Sequence, residues 1–280
     1  MPSLANHQSN QFVKLLLLGD AKSGKTGSLV SLVAAGYKLR ILDLDNLLDF
    51  FAKKVAEVCP DKMDNVEYRT IRDKRKMTDA GPIIDGAPRA FIKATKMLDN
   101  WKYDDGDGAV DLGKPSEWGP DCILVIDSLS RLCDAAYDWR VPLTPKGKGG
   151  ESDSRMTYFD AQSAVEDMIA ALTSDSFETN VIIICHGTYM ALPDGTTKIF
   201  PQGVGQKLSP KIPQYFPNYV RYKNTGSKRS IQLDSDVMID LANTKPSAFV
   251  GKKLDTDTGL AEIFKALRAE DKPKLTLRRA

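Results

Sequence analysis

The chain has 280 residues, 42% of them hydrophobic, and a formal net charge of +2 at pH 7. That length suits one large α/β domain, and that apolar share can bury a sizeable core. The near balance of charge excludes a protein held to nucleic acid by bulk electrostatics alone, and no apolar run approaches the roughly 18 residues of a membrane-spanning helix.

Residues 1–11 are polar and lack the basic-then-apolar layout of a secretion signal, so they read as a flexible lead-in. Residues 12–18 (FVKLLLL) form a near-continuous apolar run, expected of a strand covered on both faces of a parallel sheet. A glycine-bearing turn and a helix follow, then a strand at 38–44 and a helix at 46–58 that Cys59-Pro60 stops. A strand at 66–72 and a helix at 87–101 come next, and the Gly, Asp and Pro of 104–120 predict a surface excursion. Residues 122–126 (CILVI) read as a buried strand, 130–139 as a helix and 141–154 as a polar loop. Ala161, Val165, Met168 and Leu172 place a core stripe on a helix over 157–172, before a second buried strand at 181–184 (VIII).

After residue 187 the pattern changes to short strands around Pro193-Asp194-Gly195 and a Gly/Pro-rich stretch to Phe216. A hairpin follows, with arms 219–223 and 230–233 about the turn 224–226. Leu260, Ile263, Phe264 and Leu267 mark a last amphipathic helix. Strands alternating with helices predict a mostly parallel twisted sheet flanked by helices, with a C-terminal antiparallel hairpin. The organisation expected is a lead-in (1–11), a core (12–250), and a C-terminal helix with a basic tail (251–280) that carries Lys272, Lys274, Arg278 and Arg279. The four cysteines (Cys59, Cys122, Cys133, Cys185) lack C-x-x-C spacing and read as buried, reduced thiols of an intracellular protein. With only His7 and His186 as imidazoles, a zinc site is not expected.

Gly19-Asp20-Ala21-Lys22-Ser23-Gly24-Lys25-Thr26 matches the phosphate-loop pattern G-x-x-x-x-G-K-S/T, and it lies between a buried strand and a helix, as the pattern requires. Its glycines let backbone amides turn toward phosphate oxygens, and the helix adds its positive N-terminal end. Residues 19–27, Gly27 included, are the expected nucleotide cradle: Lys25 reaches the β- and γ-phosphates and the Thr26 hydroxyl ligates Mg²⁺. Ile123-Leu124-Val125-Ile126-Asp127 is an apolar strand ending in a carboxylate, and Asp127 is the expected Mg²⁺ partner through water. Ser128 follows it, where Asp-Glu ATPases carry glutamate.

Residues 19–26, Ile41-Leu42-Asp43-Leu44-Asp45, Leu124-Val125-Ile126-Asp127-Ser128 and Ile183-Ile184-Cys185-His186 fall in one order. Together they resemble the four core motifs of RecA-like recombinase ATPases, most of all the short phage-encoded RecA-like proteins linked to single-strand annealing. The resemblance spans roughly residues 12–235 and implies a RecA-like core that hydrolyses ATP with Mg²⁺. It puts the water-activating carboxylate at Asp45, with Asp43 as fallback, and a γ-phosphate sensor at His186. Two DNA-facing loops map to 140–156, with Lys146, Lys148 and Arg155, and to 188–216, with Lys198, Lys207 and Lys211. Tyr189 and Phe200 are the expected base-stacking side chains on the second.

Arg221, Lys223, Lys228 and Arg229 are candidates for a finger that completes a neighbouring chain's site. The resemblance also implies single-stranded DNA as a partner, a homo-oligomer, replication or recombination partner proteins, and a cytoplasmic setting (host cytoplasm for a phage protein). The phosphate loop begins at residue 19, with no room before it for the N-terminal oligomerisation module of full-length recombinases, which counts against a filament. From the residues alone a small-molecule kinase and a nucleotide-switched interaction module remain as alternatives.

Overall fold

The computed structural model describes residues 12–268 apart from 105, 107, 147–152, 227, 245, 250 and 251. The lead-in, Lys148 and the last twelve residues with their basic tail lie outside the described residues. The first half of the chain runs β1 (Lys14–Gly19), α1 (Lys25–Ser28), α2 (Val30–Ala34), β2 (Lys38–Asp43), α3 (Asp49–Val58), β3 (Val66–Thr70), β4 (Arg75–Thr78), β5 (Gly81–Ile84) and α4 (Ala90–Asp99). It continues through β6 (Lys102–Asp104), β7 (Ala109–Asp111), β8 (Gly119–Asp127), α5 (Leu129–Arg140) and α6 (Ser154–Thr173). The last third adds β9 (Thr179–Cys185), β10 (Gly187–Ala191), β11 (Thr197–Pro201), α7 (Gly205–Leu208), β12 (Asn218–Thr225), β13 (Lys228–Gln232), α8 (Pro246–Phe249), β14 (Lys253–Asp255) and α9 (Gly259–Arg268). Among the described residues no helix is long and apolar enough to cross a membrane.

One sheet of eight strands organises the molecule, in the order β14-β13-β12-β1-β9-β8-β2-β3. The six strands from β12 to β3 are parallel, β13 adds antiparallel to β12, and β14 adds antiparallel to β13. This is the α/β architecture the alternating pattern predicts. β1 is apolar throughout because both its faces are covered. Leu16 and Leu18 point into a core shared with α4, α5 and α6, while Leu15 and Leu17 point into a second core with α2, α3 and α9. All four leucines are fully buried, each stabilising the fold by about 1.5–3 kcal/mol.

Several expectations shift. The excursion 104–120 carries secondary structure, with β6 and β7 paired as a ribbon and Trp118 packed edge-on to the buried Trp101. The hairpin β4–β5, given no element in the sequence reading, projects from the chain between β3 and α4. The C-terminal hairpin turns one step later than the Asn224-Thr225-Gly226 signal suggests: Thr225 pairs with Lys228, and Gly226 takes the turn at φ +69°. β14 extends the sheet, and α9 buries Leu260, Ile263, Phe264 and Leu267 in the same core as α2 and α3.

The stretch 188–216 is not a loose loop. β10 and β11 pair over Gly187–Ala191 and Thr197–Pro201, and Val204, Leu208, Ile212 and Phe216 bury against the α5–α6 side of the sheet. Apolar residues spaced about four apart dictate that packing, and the Gln162 amide fixes it by donating to the Val204 carbonyl at 2.7 Å.

Candidate functional site

The phosphate loop leaves the C-terminal edge of β1 and turns sharply into α1. Leu29 keeps right-handed helical angles between α1 and α2, so 25–34 is close to one continuous helix behind the loop. Gly24 opens α1 at φ +98°, a conformation that disfavours any side chain. Gly19 is required for a different reason: a Cβ there would lie 2.7 Å from both Ser23 Oγ and the Tyr222 carbonyl. The amides of the first helical turn have no intrahelical partner and face the same cleft.

Lys25 is buried, and its ammonium donates to the Gly19 and Asp20 carbonyls at 2.8 Å each. Burial lowers its pKa, partly offset by neighbouring groups that include Asp127 and Asp20. A buried ammonium held by neutral carbonyls is matched to an incoming anion such as a phosphate. Thr26 Oγ1 donates to Asp127 Oδ2 at 2.7 Å, bringing a hydroxyl and a carboxylate together across 101 residues of chain. Both are hard oxygen donors, the ligand chemistry Mg²⁺ takes. Burial pushes the Asp127 carboxyl up to about 6, with Asp43 and Asp45 adding to the rise and Thr26 and Lys25 opposing it.

The two acidic residues at and just past the end of β2 have different surroundings. Asp43 is buried at the strand end, directly beside Asp127 in register. Its Oδ1 accepts from the Asp45 and Asn46 amides at 3.1 and 2.7 Å, and its Oδ2 accepts from Thr70 Oγ1 at 2.8 Å. Asp43 therefore holds the turn after β2. Asp45 lies in the cleft. Its Oδ1 accepts from Ser128 Oγ at 3.2 Å and faces Arg131 Nε at 3.4 Å, and His186 Nε2 stands 3.8 Å from Oδ2. Burial raises the Asp45 pKa, but His186, Ser128 and Arg131 outweigh that and hold it below the usual carboxylate range.

His186 follows β9, which lies between β1 and β8 in the sheet. Its amide donates to Ser130 Oγ at 3.0 Å and its carbonyl accepts from the Gln202 amide at 2.8 Å. A cleft of about 380 Å³ joins these groups. Ala21, Lys22, Ser23, Gly24, Lys25, Thr26 and Gly27 line one wall, and Asp45, Asp127 and His186 line the other. That volume falls within the roughly 300–1,000 Å³ of small-molecule sites, so loop, cations and carboxylates together fit a nucleotide with its Mg²⁺.

Sequence reasoning missed four contributors to this arrangement. Leu47 and Phe50 line the cleft while exposed, and the Phe50 ring packs against Gly27. Arg131 and Thr70 fix Asp45 and Asp43 from α5 and β3. None carries a local signal, because each acts through a contact between distant segments.

The peripheral candidates disperse. Arg221 is buried within β12 and is not available to a neighbouring chain. Lys223 pairs with Asp236 at 3.0 Å, and Lys228 is exposed. Arg229 lines this chain's own cleft. Lys198 is paired with Asp240 and Lys211 with Glu166, whereas Lys146, Arg155 and Lys207 are exposed with no ion pair among the described residues. Tyr189 donates to Asp20 Oδ2 at 3.4 Å, and Phe200 is half-buried in β11.

A glycine-shaped phosphate loop lies between a buried parallel strand and a helix, with the lysine, hydroxyl and carboxylate on one cleft. The fold is a P-loop α/β core. No protein-family model matches the chain, and no curated protein is significantly similar to it. Among solved structures, it is similar to a unique ATP synthase subunit, NeqB, from Nanoarcheaum equitans, at 10% identity over 76% of this chain and 48% of that one, with a TM-score of 0.37. It is also similar to the ATPase EscN, assembled with its central stalk EscO, from the enteropathogenic E. coli type III secretion system. That match has 12% identity over 76% of this chain and 42% of that one, with a TM-score of 0.38. The chain thus spans less than half the length of the solved structures it matches.

Proposed function

We propose that this P-loop core binds and hydrolyses ATP and that its nucleotide state controls binding of single-stranded DNA. The observation that carries the reading is the convergence of Lys25, Thr26, Asp127, Asp45 and His186 on one cleft. Lys25 holds the β- and γ-phosphate oxygens. Thr26 and Asp127 hold Mg²⁺, which supplies charge neutralisation on the phosphates when bound. Asp45, kept ionised by its neighbours, orients a water and accepts its proton as the water oxygen attacks the γ-phosphorus. The bond to the β–γ bridging oxygen breaks, and ADP and phosphate leave.

Beyond the cleft, α5 rises from Leu129 for 12 residues, about 18 Å, and α6 packs back along it. Tyr137 packs against Tyr158 with the rings tilted by 38°, and Arg140 pairs with Asp160. The tip of that pair exposes Arg155, Tyr158 and Phe159. α7, bearing Lys207, lies against Tyr158. Cations with no ion pair among the described residues, beside exposed aromatic rings, suit a single strand, through backbone contact and base stacking. The Gln202–His186 backbone bond ties the segment leading to α7 to the sensor position, so a change at the γ-phosphate has a route to this surface.

The test is phosphate release from ATP-Mg with and without single-stranded DNA, with Lys25→Ala as blank. Stimulation by DNA that vanishes in the variant is the expected result. Turnover indifferent to DNA leaves the ATP site standing and moves the reading to a kinase or a protein-partnered switch.

A further inference from the structure

The register of the C-terminal hairpin places one arginine over the phosphate loop of its own chain. β12 runs parallel to β1, with Tyr222 opposite Gly19, and Arg229 on β13 lies opposite Asn224. At about 3.3 Å per residue, Arg229 sits roughly 7 Å beyond the end of β1, at the depth of the phosphate loop. Side-chain contacts agree. A Cβ built on Gly24 would meet Arg229 Cδ at 3.2 Å and Thr256 Cγ2 at 3.4 Å, so the stem of Arg229 crosses the loop where α1 begins. Two features brace the covering segment. β14 pairs with β13, and Asp257, just past it, is bound to Lys54 of α3. Arg229 is exposed, has no carboxylate partner among the described residues, and lines the same cleft as Lys25, Asp127 and His186.

We infer that Arg229 acts in cis, placing its guanidinium on the phosphates of the nucleotide held by its own chain, rather than reaching into a neighbour's site. This rests on the ATP-binding reading above. A planar guanidinium clamps phosphate oxygens through two parallel hydrogen bonds, which a lysine cannot reproduce. The hairpin then acts as a fixed rim that brings the cation to the loop without assembly.

The experiment measures affinity for a fluorescent ATP analogue, together with phosphate release, in Arg229→Ala, Arg229→Lys and Lys25→Ala. Arg229→Ala is expected to bind about 10- to 100-fold more weakly, as for loss of a charge-assisted hydrogen bond, and Arg229→Lys to fall between. Arg229→Ala and Lys25→Ala chains are then co-expressed so that they share any assembly. Action in cis gives no recovery of affinity or turnover in the mixture. Recovery means that intact arginines serve neighbouring loops, and it overturns the inference. Wild-type affinity in Arg229→Ala beside a dead Lys25→Ala also overturns it while leaving the ATP reading intact. Wild-type affinity in Lys25→Ala removes the ATP reading itself, and the inference with it.

Discussion

Replacing Asp127 with asparagine should strengthen the fold while disabling the site. The wild-type carboxyl is pushed from 3.8 to about 6, chiefly by burial. About two pKa units at 1.36 kcal/mol each amount to ~3 kcal/mol of penalty on the charged form. The sign follows from proton binding. Between pH 4 and 6 the folded protein holds a proton that the unfolded chain has released, so stability falls as pH rises through this window and levels off above it. Asparagine keeps an acceptor for the Thr26 hydroxyl without the charge.

In urea denaturation with chelator and no nucleotide, Asp127→Asn is therefore expected to match wild type near pH 4. Its advantage should grow to as much as ~3 kcal/mol at pH 8. ATP turnover should be lost throughout, since the proposed site uses the same carboxylate as its metal partner. A variant no more stable than wild type at pH 8, or equally more stable at both pH values, would refute the reasoning that burial of the charge sets this pKa.

The neighbouring acidic residues should respond in opposite ways. Asp45→Asn is expected to slow phosphate release by about 100-fold or more while nucleotide affinity stays within a few-fold, as for loss of a general base. Asp43→Ala should instead lower stability by about 2–3 kcal/mol in urea denaturation, because the Asp45 and Asn46 amides and the Thr70 hydroxyl lose their acceptor. At the tip of α5–α6, the Tyr158→Ala, Phe159→Ala double variant should weaken single-stranded DNA binding about 10-fold or more, similarly for all base sequences, in fluorescence anisotropy. Arg155→Ala and Lys207→Ala should each flatten the salt dependence of that binding by about 0.7 in the log–log slope.

The sequence by itself determined the parts of this protein whose physics is local. The phosphate loop is legible because eight consecutive residues carry both the backbone freedom and the side chains it needs. The apolar runs in β1, β8 and β9 are legible because a parallel strand covered on both faces must be apolar throughout. Asp127 follows from its place at the end of such a run. What the tertiary structure alone decided depends on contacts between segments far apart in the chain. Asp43 and Asp45 look interchangeable in sequence, and only Thr70 of β3, Ser128 and His186 just past the ends of β8 and β9, and Arg131 of α5 give one the turn and the other the cleft. Lys198 and Lys211 read as free cations until Asp240 and Glu166 neutralise them. Arg229 is one of several hairpin cations in sequence, and only the pairing of β1 with β12, some 200 residues later, sets it over its own phosphate loop. Charge and residue type are written in the chain, but which charges meet is fixed by sheet order and register, and those minimise the free energy of the whole core.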